Sequence, residues 1–388
     1  MINLIKSKNK LLLVYLCAFL FTIHYASVIY INSSLLKQLV SDRSISLLYM
    51  LGAIGSILTL ILVPLLFKKL GNKITFLLFI VIEMFAVFGI GSNTLALAIA
   101  AFFIMHQAIE SILYFCLDVA LEEETRIEGT TGGIRGVFFT VQNIAFVFSP
   151  LVLTFLVSRE TFSQVYFLSG LSLLIMFFVI ALFFKNIRFH NNKNSHILVA
   201  LNALRVGGDR AKIIACQFIL NLFYAWMVIY MPLVLSTEAG FSWAQIGVIL
   251  SIMLLPFLLI QLPAGFLADK KFGEKEILII GFGIMAIFTF LVPIVKSQDF
   301  WLWALLLFAT RVGASLVEIG SETYFFKHVK ADDIGIISIF RMLRPISYLL
   351  VPLITFPIIS IWSYSQSFTF LAIIVAFGLL FLPKKDTV

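Results

Sequence analysis

The sequence predicts an all-α membrane protein of twelve transmembrane helices arranged as two pseudo-symmetric six-helix bundles. Three observations carry that expectation. Hydrophobic residues make up 61% of the chain and charged residues only 12%, with a mean hydropathy of +1.06. Soluble domains lie near ~45–50% apolar and ~25% charged. Second, apolar runs near the ~20 residues that cross a hydrocarbon core recur twelve times. Third, the two halves echo each other in the order of their features. Helix is the state to expect, because lipid-exposed backbone must close its own hydrogen bonds and no segment alternates like a barrel strand.

In chain order the runs fall at 11–31, 45–67, 74–91, 94–117, 136–158, 164–184, 213–235, 243–267, 276–295, 300–326, 334–356 and 367–382. The first follows Lys6, Lys8 and Lys10, as a secretory signal would. It is long enough to span, however, and lacks a convincing small-residue cleavage site, so it reads as the first transmembrane helix. Of the 28 Lys and Arg, only Lys37, Arg43, Arg159 and Lys296 fall in outer loops when the N-terminus is placed inside, and Arg311, Arg341 and Arg344 lie within the runs. This bias predicts both termini on the cytoplasmic side of a multi-pass protein in the cytoplasmic membrane. The net charge of +8 therefore marks orientation, and no nucleic-acid surface is expected.

The longest polar stretch, 185–212, is expected to be a cytoplasmic linker between an N-terminal bundle (1–184) and a C-terminal bundle (213–388). Within it, HILVALNAL has the pattern of a short amphipathic helix on the inner membrane surface, with a plain linker as the alternative. The repeat shows in FTIHYASVIYINSSLL against LNLFYAWMVIYMPLVL, which pairs Tyr25 with Tyr224 and Tyr30 with Tyr230. The fifth and eleventh runs share a late proline, Pro150 and Pro352. Such repeats mark secondary transporters, whose solute site lies between halves near mid-membrane.

The segment from Gly265 to Lys275 (GFLADKKFGEK) resembles the G-x-L-a-D-[RK]-x-G-[RK] loop of the major facilitator superfamily, with one extra residue between Asp269 and Gly273. The equivalent first-half loop, Phe67 to Lys73, lacks the aspartate. The resemblance covers essentially the whole chain. It implies a transporter fold and a cytoplasmic gate at Gly265, Asp269 and Gly273. A family arginine followed by small residues is matched by Arg311-Val312-Gly313-Ala314-Ser315 in the tenth run, while the helix-five glycine-proline signature of drug antiporters is missing around Pro150. Asp118 and Glu122 to Glu124, beside Arg126 and Arg135, read as an acidic inner loop that either latches the gate or is simply solvated.

Seven charges sit at apparent membrane depth: Glu83, Glu110, Glu318, Glu322, Arg311, Arg341 and Arg344. Unpaired and facing lipid they would cost on the order of 20 kcal/mol, so they must pair, neutralise or line water. Offsets of seven and eleven bring Glu318 and Glu322 back to within about 20° of the Arg311 face. That stripe is the leading candidate for solute contact and proton coupling. Its alternative is a set of structural ion pairs with Arg311, Arg341 and Arg344. Pro345 stands ready to kink the helix beside Arg344. In the first half, His106 and Glu110 lie one turn apart and suggest a proton relay or a packing pair. His24 is a lone histidine on an apolar face, and Glu83 reads as structural. Gln142, Asn143, Gln217, Asn221, Tyr224 and Gln261 are polar candidates for lining a cavity or bridging helices.

Cys17, Cys116 and Cys216 have no metal-ligand spacing and read as packing residues, and no hydrolase, metalloprotease or phosphate-loop motif appears. No enzyme, cofactor or metal centre is expected. The expected function is secondary active transport of a small solute, with protons as the coupling ion and the protein working as a monomer in the bilayer. An uncoupled facilitator and a non-transporting membrane scaffold or sensor remain as alternatives.

Overall fold

The computed structural model describes residues 2–128, 131–157, 162–186, 208–261, 263–264, 273–328 and 334–383. Among these the regular structure is helical and no strand occurs. The chain divides into two compact units, Met1–Asn191 and Asn192–Val388.

The first unit contains α1 (Ile2–Ile29), α2 (Asn32–Leu39), α3 (Asp42–Leu70), α4 (Asn72–Ser92), α5 (Ala96–Glu128), α6 (Thr131–Leu156) and α7 (Ser163–Phe183). The second contains α8 (Asp209–Leu233), α9 (Trp243–Leu259), α10 (Gly273–Leu291), α11 (Phe300–His328), α12 (Ile334–Ile359) and α13 (Tyr364–Phe377). Among the described residues nine segments are long and apolar enough to cross a membrane, and Val137–Leu153 and Trp243–Leu259 are shorter apolar helices.

Each unit is inside-out relative to a soluble domain. Leu97 and Phe155 are 84% and 83% exposed, while Glu83, His24 and His106 are fully buried. Soluble monomers rarely present apolar surface on this scale, whereas lipid accepts it without cost. Each unit also packs by the same scheme. In the first, α1 lies against α5, α6 and α7, α5 against α3 and α4, and α4 against α7. In the second, α8 lies against α11, α12 and α13, α11 against α9 and α10, and α10 against α13. The repeat seen faintly in sequence thus recurs as a repeated set of helix pairings.

Local sequence explains the helix ends. Ser242 and Ser363 each open a helix with a capping box, completed by Gln245 and Gln366. Hydroxyl and amide together satisfy backbone groups that the first turn leaves open. The Glu238 carboxylate accepts from the Ser365 backbone N–H at 3.3 Å, tying the end of the π-turn after α8 to the start of α13. At the α10–α11 crossing, Gly281 and Gly313 let two backbones meet. A Cβ on Gly313 would lie 2.6 Å from the Gly281 carbonyl oxygen, closer than any side chain tolerates.

Two sequence-based boundaries need correction. Residues 32–39, expected as outer loop, form the helix α2 directly after a turn at Tyr30 and Ile31. The acidic residues expected as an inner loop after the fourth run lie on α5, which continues to Glu128. The prolines Pro345, Pro352 and Pro357 all lie inside one helix, α12. Neighbouring helices and hydroxyl side chains can satisfy the backbone groups that proline frees, which is why membrane helices tolerate it.

Candidate functional site

The tenth-run stripe resolves into three different partnerships. Arg311, Glu318 and Glu322 project from α11, but they do not form the ion-paired ladder that their spacing suggests. Arg311 is 1% exposed. Its guanidinium lies over two aromatic faces of α8, 5.1 Å from the Phe223 ring centre and 5.3 Å from that of Tyr224. Its Nε has no hydrogen-bond acceptor, and no carboxylate stands within ion-pair distance among the described residues. Ring faces attract a cation, most strongly where water is excluded, and that attraction offsets part of the desolvation cost.

Glu318 lies about two turns further along the same stripe. Its Oε2 accepts from the Gln261 side-chain amide at 2.6 Å. Gln261 follows the end of α9, so this bond ties α9 to α11. Glu318 has no cation within ion-pair distance among the described residues. Glu322 does, pairing with Arg341 of α12 at 3.4 Å, with both side chains mostly buried. Arg344, three residues beyond Arg341, is half-buried on the same helix. The alternative of structural ion pairs thus holds for Glu322, while Glu318 has a neutral contact.

The facing side of α8 carries Gln217, Asn221 and Tyr224, spaced four and three apart and so on one face. Ser321 Oγ donates to Gln217 Oε1 at 2.6 Å, joining α11 to α8, and Asn221 Nδ2 donates to the Gln217 carbonyl at 2.8 Å. Within the second unit the structure therefore gathers Arg311, Glu318, Asn221 and Tyr224, as the sequence proposed. Gln217 and Gln261, polar candidates from the sequence, join them by bridging helices, and the structure adds Phe223 and Ser321.

The first unit holds a second polar cluster. His106 Nδ1 makes a short hydrogen bond to Glu83 Oε1, so Glu83 is the acceptor that the sequence assigned to Glu110. Glu110 lies one turn along α5 at 9% exposure. His24 is not a lone histidine: its Nε2 stands 3.3 Å from the same Glu83 oxygen, and its Nδ1 is bonded to Ser169 Oγ at 2.6 Å. The two imidazole rings meet edge to face at 5.8 Å. Behind His106, Asn32 Nδ2 donates to Nε2 at 3.4 Å, and the Tyr166 hydroxyl donates to Asn32 Oδ1 at 2.6 Å. The potential ligand atoms of His24, Glu83 and His106 lie within 4.8 Å of one another.

Glu83, Ser169, Tyr166 and Asn32 are the residues that sequence reasoning left out of the site. A single carboxylate in an apolar run was the only available signal for Glu83. Its partners sit on α1 and α5, too distant in sequence for any spacing to connect them.

Of the residues expected at a cytoplasmic gate, Gly273 opens α10 with a φ of 71°, a left-handed conformation that suits glycine. Gly265 and Asp269 lie outside the described residues, as do the side chains of Arg135 and of Glu122 to Glu124. Asp118 is half-buried on α5. The linker helix HILVALNAL also falls outside them.

Charges turned inward and apolar side chains turned outward define a polytopic membrane protein with buried polar sites. Residues 213–388 match the family model of the Major Facilitator Superfamily. The fold is similar to that of the nucleoside transporter NupG, whose crystal structure has a TM-score of 0.75 at 14% identity and covers 96% of this chain and 98% of that one. A mutant form of NupG gives a TM-score of 0.76, also at 14% identity, covering 96% and 99%. No curated protein matches the sequence. The family match covers the C-terminal part of the chain, and the structural likeness at 14% identity shows that the fold as a whole is shared.

Proposed function

We propose that the chain is a secondary active transporter of the cytoplasmic membrane that moves a small solute by alternating access, with protons as the coupling ion. In this reading it has twelve spans with both termini cytoplasmic, a six-helix bundle at each end (1–184 and 213–388), a linker at 185–212, and works as a monomer. The lysine and arginine bias supports the orientation.

One observation carries the coupling: Glu318 is held by the neutral Gln261 amide at 2.6 Å and by no cation within ion-pair distance among the described residues. A carboxylate clamped by arginine cannot take up a proton without breaking its ion pair. Glu318 can bind or lose one while keeping its contact with an amide that both donates and accepts. Its charged surroundings are Arg311 and Glu322 on its own helix, with Tyr224 opposite and Arg341 held by Glu322. Solute recognition is assigned to Arg311, Asn221 and Tyr224, where the aromatic-backed guanidinium keeps donors unspent.

Nucleosides belong in the first panel of solutes tested, because the solved neighbours are described as nucleoside transporters. Purified protein in detergent is screened by thermal unfolding against nucleosides, organic anions and cations, since any ligand stabilises the state that binds it. Stabilising solutes are then followed into proteoliposomes. Saturable uptake supports transport. A protein that neither binds nor moves any member of a broad panel contradicts it and favours a scaffold or sensor.

A further inference from the structure

We infer that His24, Glu83 and His106 form a binding site for one divalent transition-metal ion of borderline softness, with zinc the best chemical fit. The donor set is two imidazole nitrogens and a carboxylate oxygen, which suits zinc and its neighbours better than calcium or magnesium. The three come from α1, α4 and α5, so packing within the first unit assembles the site, and no short sequence motif could announce it.

Four observations carry the inference. The first is spacing. Ligands at about 2.0–2.2 Å from a tetrahedral zinc stand about 3.3 Å apart. His24 Nε2 and Glu83 Oε1 are 3.3 Å apart, and all three donor atoms fall within 4.8 Å. His106 and Glu83 are closer than this, and opening their hydrogen bond admits the ion.

The second is orientation from behind. Ligating histidines nearly always have their other ring nitrogen fixed by a polar partner. Here Ser169 holds His24 Nδ1 at 2.6 Å, which aims Nε2 at Glu83, and Asn32 holds His106 Nε2, which aims Nδ1 at the same oxygen. Coordination requires the His106 proton to reside on Nε2. Asn32 accommodates that by reversing its amide, because the Tyr166 hydroxyl accepts as readily as it donates.

The third is the unspent valence at the centre. Glu83 Oε2 and His24 Nε2 are buried without a hydrogen-bond partner, and Glu83 and His24 are fully buried. Leaving such groups unsatisfied is costly, and an ion bound between them satisfies both. The fourth is charge. The Glu83 carboxylate gives a cation a negative partner in a region that excludes water.

The test uses the full-length protein in detergent, stripped with chelator and titrated with cobalt(II), whose ligand-field absorption reports tetrahedral nitrogen and oxygen coordination. One equivalent of cobalt, displaced by zinc, is expected. His24→Gln and His106→Gln should each abolish the signal. His190, His196 and His328 remain in both variants, so the loss locates the site. Should either variant fail to fold, Ser169→Ala keeps all three ligands and should weaken binding by about 10–100-fold. Absence of the tetrahedral cobalt signal, or a signal unchanged by Ser169→Ala and His106→Gln alike, overturns the inference and leaves the cluster a shared-proton network.

Discussion

Glu318 of α11 and Gln261 beyond α9 meet at 2.6 Å, carboxylate to amide, while the next acid on the same stripe, Glu322, takes the arginine. Two carboxylates one turn apart thus have different partners, and the difference assigns them different work. Glu322 neutralises Arg341. In the proposed transport cycle, Glu318 is the carboxylate left to exchange a proton.

Removing Gln261 should therefore affect coupling more than folding. Gln261→Leu leaves the Glu318 carboxylate without its amide in a low-dielectric site, which favours the neutral acid. Solute exchange at equal pH on both sides should persist within about twofold, while accumulation driven by a pH gradient should fall about tenfold or more. Parallel loss of exchange and accumulation would count against a coupling role.

The Glu322–Arg341 pair should behave as a structural bridge. Glu322→Gln alone strands a mostly buried guanidinium and should lower the unfolding free energy by about 1–3 kcal/mol. The charge exchange Glu322→Arg with Arg341→Glu should restore much of that loss. A double-mutant cycle on thermal unfolding gives the coupling energy, and a value near zero would show that the two residues do not depend on each other.

Arg311 makes the opposite prediction. It is buried over Phe223 and Tyr224 with no ion-pair partner among the described residues. Replacing it with Met removes a desolvated charge and keeps much of the apolar stem. Stability should stay level or rise by about 1–4 kcal/mol, while solute uptake drops at least about tenfold. A destabilised Arg311→Met protein with normal uptake of the remaining folded fraction would make the arginine structural.

The α10–α11 crossing offers a matched pair of glycine substitutions. Gly313→Ala places a Cβ 2.6 Å from the Gly281 oxygen and should cost about 1–3 kcal/mol. Gly283→Ala meets nothing within 4 Å, so relief of glycine's backbone entropy should stabilise by up to about 1 kcal/mol. Thermal unfolding of the two variants side by side checks the sign of each.

The class of protein was legible because lipid imposes its demand on whole segments, and composition and run length report it directly. Helix ends were less legible. Asn32–Leu39 is polar enough to read as loop, yet it stays helical with Asn32 buried against His106 and Tyr166. Spacing correctly placed Arg311, Glu318 and Glu322 on one stripe but left their partners open. Helical periodicity says which face a residue occupies and nothing about the neighbours across from it, here two aromatic rings, an amide and an arginine. The first-unit cluster shows the same limit. His106 and Glu110 are close in sequence and look paired, whereas the acceptor of His106 is Glu83, 23 residues away on another helix.

The most direct test of the account uses proteoliposomes with an imposed inward proton gradient and a solute identified by thermal stabilisation, comparing the native protein with Glu318→Gln. Glutamine keeps the shape and the hydrogen bond to Gln261 but cannot carry a proton. The account predicts gradient-dependent solute movement in the native protein, and in the variant solute exchange that no longer responds to the gradient. A Glu318→Gln protein that still couples solute movement to the gradient as the native one does would contradict it.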